Sequence, residues 1–197
     1  MRGQWSPEGR GAATMYLEAF SSRLLPGERI VWSGRPGKGI IITARDTFLI
    51  PFSLVWFGFT VFWESSVWNE EGAPSFFILW GAMFMTVGLY MVVGRFVGDA
   101  WVRSRTSYAL TDRRVLIMRS APITKFSSVS LARLPELELI ERSNGRGTIR
   151  FGQQASMFGG RQSFGIWSPA LDPVPQFLMI DDVRRVFNLA QQAAAKL

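Results

Sequence analysis

The densest run of chemically usable side chains is basic: Arg103, Arg105, Arg113, Arg114, Arg119 and Lys125, with Asp99 and Asp112 the only acids between Arg95 and Lys125. Such a set supports two readings. One is a surface for anionic lipid headgroups, each basic group contributing roughly 1 kcal/mol close to a membrane. The other is the ordinary excess of Lys and Arg beside a membrane span, together with solvation of turns. Arg113 and Arg114 lie at a tight turn and read as a hairpin signature rather than a ligand site. The close carboxylates are Glu136, Glu138 and Glu141, and the pair Asp181-Asp182. Strand alternation puts Glu136 and Glu138 on one solvated face, which does not make an acid/base pair. Gly145-Arg146-Gly147 lacks the strand–loop–helix setting of a phosphate loop. The chain has no Cys and no His. That removes disulfides, Cys/His zinc sites, Ser-His-Asp and Cys-His catalysis, and histidine haem ligation. No catalytic residue, metal site or cofactor is expected, and the protein is read as a non-enzyme.

The elements that would position these groups are organised around residues 47–94. Thr47–Trp63 and Ala73–Gly94 are uncharged apolar runs, separated by the acidic break Glu64–Gly72. A bilayer takes roughly 20 apolar residues at 1.5 Å each, so both runs read as transmembrane helices, the first slightly short. As core helices of a soluble chain this small, they would need covering on every face. Trp63, Trp68 and Trp80 near the break, and Tyr90 and Trp101 at the far end, suit the two interfaces. Pro51 falls in the first turns, where its missing N–H costs least, and Asp46 is a candidate cap. Gly94 and Gly98 have GxxxG spacing, a weak dimerisation signal.

Charge orients the hairpin. Residues 1–46 carry seven basic and four acidic groups (+3), the break carries three acids (−3), and residues 95–197 carry fifteen basic and eight acidic groups (+7). Basic flanks stay in the cytoplasm, so both termini are expected inside and the acidic turn outside. Topology and attraction to anionic lipid account for the excess charge without nucleic acid as a partner. The polar start MRGQWSPEGR shows no cleavable leader, so the first apolar run is expected to act as an uncleaved signal.

In chain order, Ala13–Leu25 reads as a short amphipathic helix and Glu28–Ser33 as a short strand after the Pro26-Gly27 turn. Ile40-Ile41-Ile42 is either interfacial or an early extension of the first span. Beyond the second span the pattern turns to strands: Ser107–Leu110, Arg114–Arg119, Phe126–Ser130, Leu137–Arg142 and Thr148–Phe151. An Asn144-Gly145 hairpin joins the last two, its tip arginines Arg142 and Arg146 placed away from the membrane. Residues 152–175 are long and rich in aromatics, with a strand near Ser163–Trp167. They read as a lip that inserts into lipid or grips a peptide, or as filler of the barrel end. Gln176–Ile180 is a last strand, and Asp181–Lys196 an amphipathic helix.

Three pieces of this order resemble the bacterial pleckstrin-homology-like family of membrane proteins. They are Leu24–Pro36 (LLPGERIVWSGRP, with Trp32, Gly34 and Pro36), the hairpin Ser107–Met118 (SYALTDRRVLIM, with Tyr108, Thr111, Asp112, Arg113 and Arg114), and the ending Gln176–Ala190. The resemblance implies a cytoplasmic, partly open β-barrel capped by a C-terminal helix and held at the membrane by two spans. It implies no catalytic residue. The division expected is a cytoplasmic N-terminal segment over 1–46, a transmembrane hairpin over 47–94 and the barrel over 95–197. The function expected is a multi-pass protein of the bacterial inner membrane whose barrel binds anionic lipid or acts as a scaffold. The alternative is a subunit or assembly factor of a larger membrane complex that uses the hairpin as contact surface. A protein partner or homo-oligomer stays open.

Overall fold

The computed structural model describes residues 20–43, 45–72, 74–133, 136–152, 168–172 and 174–197. The expected strand near Ser163–Trp167, the aromatic lip and most of the Ala13–Leu25 helix lie outside them. Two helices dominate one end of the molecule: α1, Asp46–Trp68, and α2, Ser75–Ser104. Both are long and apolar enough to cross a membrane. Large apolar side chains such as Phe48, Val55, Phe62, Phe76 and Leu79 stand exposed along them. Gly81 and Gly88 are buried between the two helices, and a Cβ at Gly88 would lie 2.9 Å from the Phe57 ring. The missing side chains therefore let the backbones approach.

α2 does not stop at Gly94. Its 30 residues span about 45 Å, against a hydrocarbon core of about 30 Å. Over Tyr90–Gly94 the helix widens to a π-type turn, and Arg95–Ser104 continues as a stalk with Arg95, Asp99, Val102 and Arg103 buried. Residues spaced by four share one face, so this stripe is turned toward the protein.

The stalk leads into two antiparallel sheets. The first contains β1 (Ile30–Gly34), β2 (Thr106–Thr111), β3 (Arg114–Arg119) and β4 (Lys125–Ser130) in that order. β1 pairs directly with β2, Gly34 opposite Tyr108 and Trp32 opposite Leu110. The apolar hairpin is thus an insertion between two neighbouring strands, and the segment before it belongs to the β-domain. The second sheet contains β5 (Leu137–Glu141), β6 (Gly147–Phe151) and β7 (Gln176–Ile180), followed by helix α3 (Val183–Ala194). No strand pairing joins the two sheets among the described residues, so they do not close into a continuous barrel. They share one core: Tyr108, Leu110 and Val115 from the first sheet, Ile149, Phe151, Phe177 and Ile180 from the second, and Val183, Val186 and Ala190 from α3. Phe187 packs at the edge of this core, only partly buried. On the other face of the first sheet, Ala109 and Leu116 are covered by Phe20 and Leu24. Strand alternation explains why Tyr108 and Ala109 serve opposite cores.

At the β5–β6 hairpin only Gly145 takes a positive φ, +74°. Asn144 instead accepts the Arg146 N–H on its side-chain oxygen, at 3.1 Å. Ile40–Ile42 is not helical, so it does not extend α1.

Candidate functional site

Asp46, Arg95, Asp99 and Arg103, near the β-domain ends of the two helices, are held in internal pairs. Arg95 meets Asp46 at 2.6 Å, both side chains almost fully buried. The second Asp46 oxygen accepts the Thr43 N–H at 2.6 Å and its hydroxyl at 2.8 Å. One turn further, Arg103 meets Asp99 at 2.7 Å and donates to the carbonyls of Gly37 and Gly39. Asp99 also accepts from the Ser168 hydroxyl at 2.8 Å and the Ala170 N–H at 2.9 Å. The stalk is therefore bolted to the segment after β1 and to the turn before β7. Buried pairs of this kind carry a large desolvation cost and hold only when their remaining lone pairs and protons are satisfied. Here Asp99 is fully used, whereas Arg95 keeps Nε and one terminal nitrogen buried without a partner.

The hairpin signature is explained by a second internal network. Thr111 donates to Glu28 at 2.7 Å and accepts the N–H groups of Arg113 and Arg114. Arg114 grips both Glu28 oxygens at 2.8 Å. Burial alone pushes the Glu28 carboxyl up. The hydrogen bonds from Arg114, the Leu25 N–H and Thr111 outweigh it and hold the group down at about 2. Asp112 accepts the Arg29 N–H at 3.0 Å. Trp32 lies 5.3 Å from the Phe177 ring, and Tyr108 lies 4.7 Å from it. The buried Tyr108 hydroxyl accepts the Leu178 N–H at 3.2 Å, and burial pushes its pKa up. Gly34 has no room for a Cβ, because the Trp32 ring lies 2.5 Å from where it would stand. Pro36 is buried. Trp32, Gly34, Pro36, Tyr108, Thr111 and Asp112 are thus structural residues that join β1, β2 and β7.

The basic set divides accordingly. Of the residues expected to face the membrane, Arg103 is 2% exposed, and Arg114 is clamped on Glu28. Arg105, Arg113 and Lys125 are exposed. Arg119 is half-buried, donates to the Ala170 carbonyl at 3.3 Å, and keeps its Nε buried without a partner.

What the geometry does bring together is a cleft of about 320 Å³ between Ile41–Arg45 and the face of the second sheet. Arg45, Arg142 and Arg150 line it, with Asp172 as the one acid and with Ile41, Ile140 and Leu178 among its apolar lining. Arg142 donates to the Ile42 carbonyl, and Arg150 to Gln176 and Glu138 at 3.3 and 3.2 Å. Arg142, expected at a hairpin tip away from the membrane, touches the segment that enters α1. Arg146 is tied to Asp181 instead, at 2.6 Å. Periodicity could not have found this cleft, because Arg45 lies about a hundred residues before Arg142 and Arg150 in sequence. The stalk was missed, although a signal for it was present: Arg95, Asp99 and Arg103 recur every four residues with alternating sign. Among the described residues no cluster of acidic side chains could hold a metal ion.

Compared with models of known families, with curated proteins and with solved structures, the chain matches none.

Proposed function

We propose that the protein is an integral protein of the bacterial inner membrane, with both termini cytoplasmic, whose β-domain is a non-catalytic module for the anionic membrane surface. The carrying observation is the arginine cleft beside Ile41–Arg45. Three arginines and one aspartate face a space that opens next to the start of α1. A guanidinium fork matches a phosphate or phosphodiester, and a weakly hydrated cation beside apolar isoleucines suits a headgroup at the acyl boundary. The two sheets around one core, closed by α3, are compatible with a partly open pleckstrin-homology-like barrel. The motifs Leu24–Pro36 and Ser107–Met118 meet through Glu28 and Arg114, which gives a physical reason for their joint presence.

The test is hydrogen exchange of the full chain in nanodiscs of anionic phosphatidylglycerol and of neutral phosphatidylcholine. Amides of 41–43 and 137–147 are expected to slow in the anionic discs, and Arg142→Glu with Arg150→Glu to remove the difference. Arg113→Glu, outside the cleft, leaves it intact. Equal exchange in both discs overturns the reading and turns attention to a protein partner.

A further inference from the structure

The opposite end of the helical pair carries a different constellation. Trp56, Thr60 and Glu64 recur every four residues on α1 and so form one stripe. Across from them on α2 stand Trp80, Gly81 and Phe84, enclosing with Trp56, Phe59 and Trp63 a groove of about 250 Å³. Ring centroids lie 5.8 Å apart for Trp56–Phe84 and 5.4 Å for Trp80–Phe84. Glu64 does not itself line the groove but packs against Gly81, which does: a Cβ on Gly81 would overlap its Oε2. Glu64 is 7% exposed; its Oε1 accepts the Trp68 indole N–H at 2.9 Å, and its Oε2 is buried with no partner. Trp63 and Trp80 remain 42% and 47% exposed, so the groove is open on the side that lipid would cover.

An unpaired buried carboxylate inside an apolar span is costly, and where it persists it marks a function. The chemistry around it selects the ligand. The break carries three acids and no base, which repels anions. A hard divalent cation needs six or more oxygens, and one free carboxylate oxygen does not supply them. Aromatic faces beside a carboxylate suit a large, weakly hydrated cation that carries apolar substituents. Glu64 lies four residues before the end of α1, about 6 Å along the axis, the depth of the headgroup–acyl boundary. We infer that this groove binds the ammonium headgroup of a zwitterionic phospholipid from the leaflet at the Trp68–Pro74 turn. The acyl chains then lie along the exposed apolar side of the helices. The inference rests on α1 and α2 being membrane spans, but not on the arginine cleft.

The full chain in mild detergent, carrying Arg142→Ala and Arg150→Ala to silence that cleft, is offered equal amounts of phosphatidylcholine and phosphatidylglycerol. Retained lipid is then counted by native mass spectrometry. One choline lipid per chain is expected, preferred at least about tenfold over the glycerol lipid. Glu64→Gln keeps the shape and the Trp68 hydrogen bond but removes the charge, and is expected to abolish the preference. Gly81→Ala keeps the charge but displaces the carboxylate, and is expected to do the same. Free tetramethylammonium competing as well as the lipid would point to a soluble ammonium ligand and overturn the lipid assignment. Equal retention of both lipids, or a preference untouched by Glu64→Gln, overturns the site. Were the chain instead a dimer that Glu64→Gln dissociates, a second copy would be the occupant and the lipid inference would fall. Release of the chain from membranes by alkaline carbonate without detergent would sink the spanning premise, an outcome separate from all of these.

Discussion

The two ends of the helical pair differ in how much of their buried charge is paired. At the β-domain end, Asp46, Asp99 and Arg103 are buried in ion pairs whose spare hydrogen-bonding capacity goes to Thr43, Gly37, Gly39, Ser168 and Ala170. At the turn end, Glu64 has an indole for one oxygen and nothing for the other. The first end couples the stalk to the sheets through these bonds, with Arg95 the exception, two of its nitrogens being buried without a partner. The second holds a carboxylate with one oxygen unpaired.

Four measurements break or sharpen this contrast. The largest effect is expected at the stalk. Asp99→Ala strands Arg103 as a buried cation and should cost about 3–5 kcal/mol in unfolding of the detergent-solubilised chain, whereas Asp99→Leu with Arg103→Met should recover much of it. A loss under about 1 kcal/mol would mean that the stalk is not docked.

Acid gives the next effect. The Glu28 pKa is depressed from 4.5 to about 2, so its stabilisation is fully present above pH 4.5 and is lost as pH falls toward 2. The whole window is worth on the order of 3 kcal/mol. Stability measured against pH should show this fall, and Glu28→Gln should remove this step.

Glycine substitutions separate the ends by what they strike. Gly34→Ala drives a Cβ into the rigid Trp32 indole and should cost about 1–3 kcal/mol. Gly81→Ala meets chiefly the flexible end of Glu64, so a cost below about 1 kcal/mol is expected. Comparable losses at the two sites would remove the distinction.

The smallest effect is expected from Glu64→Gln, within about 0.5 kcal/mol of the parent in lipid-free detergent, since the Trp68 hydrogen bond survives. A large loss there would make Glu64 a structural group like Asp99.

The strands were legible because their cues are local. Arg114–Arg119 and Gln176–Ile180 have the expected bounds, and Leu137–Glu141 and Lys125–Ser130 differ by a residue. The second span was cut at Gly94 because charge begins at Arg95; the helix continues because Arg95, Asp99 and Arg103 face protein rather than water. Val183, Val186, Ala190 and Ala193 form the fully buried stripe of α3, so its smaller residues, not Phe187, centre the contact.

By itself, the sequence determined that two uncharged apolar runs form a helical pair, that a β-rich part follows, and that no chemistry depends on His or Cys. Periodicity, length and composition are properties of neighbouring residues, and they are enough for those conclusions. Only the tertiary structure decided which charges are spent. Arg103 and Arg105 are two residues apart and look alike in sequence, yet one is sealed by Asp99, Gly37 and Gly39 and the other is exposed. Arg142 reaches Ile42 across a hundred residues, and Glu64 meets Gly81 across the turn. Whether a charge binds the fold or a ligand depends on partners brought by chain crossing, and local pattern carries no record of them.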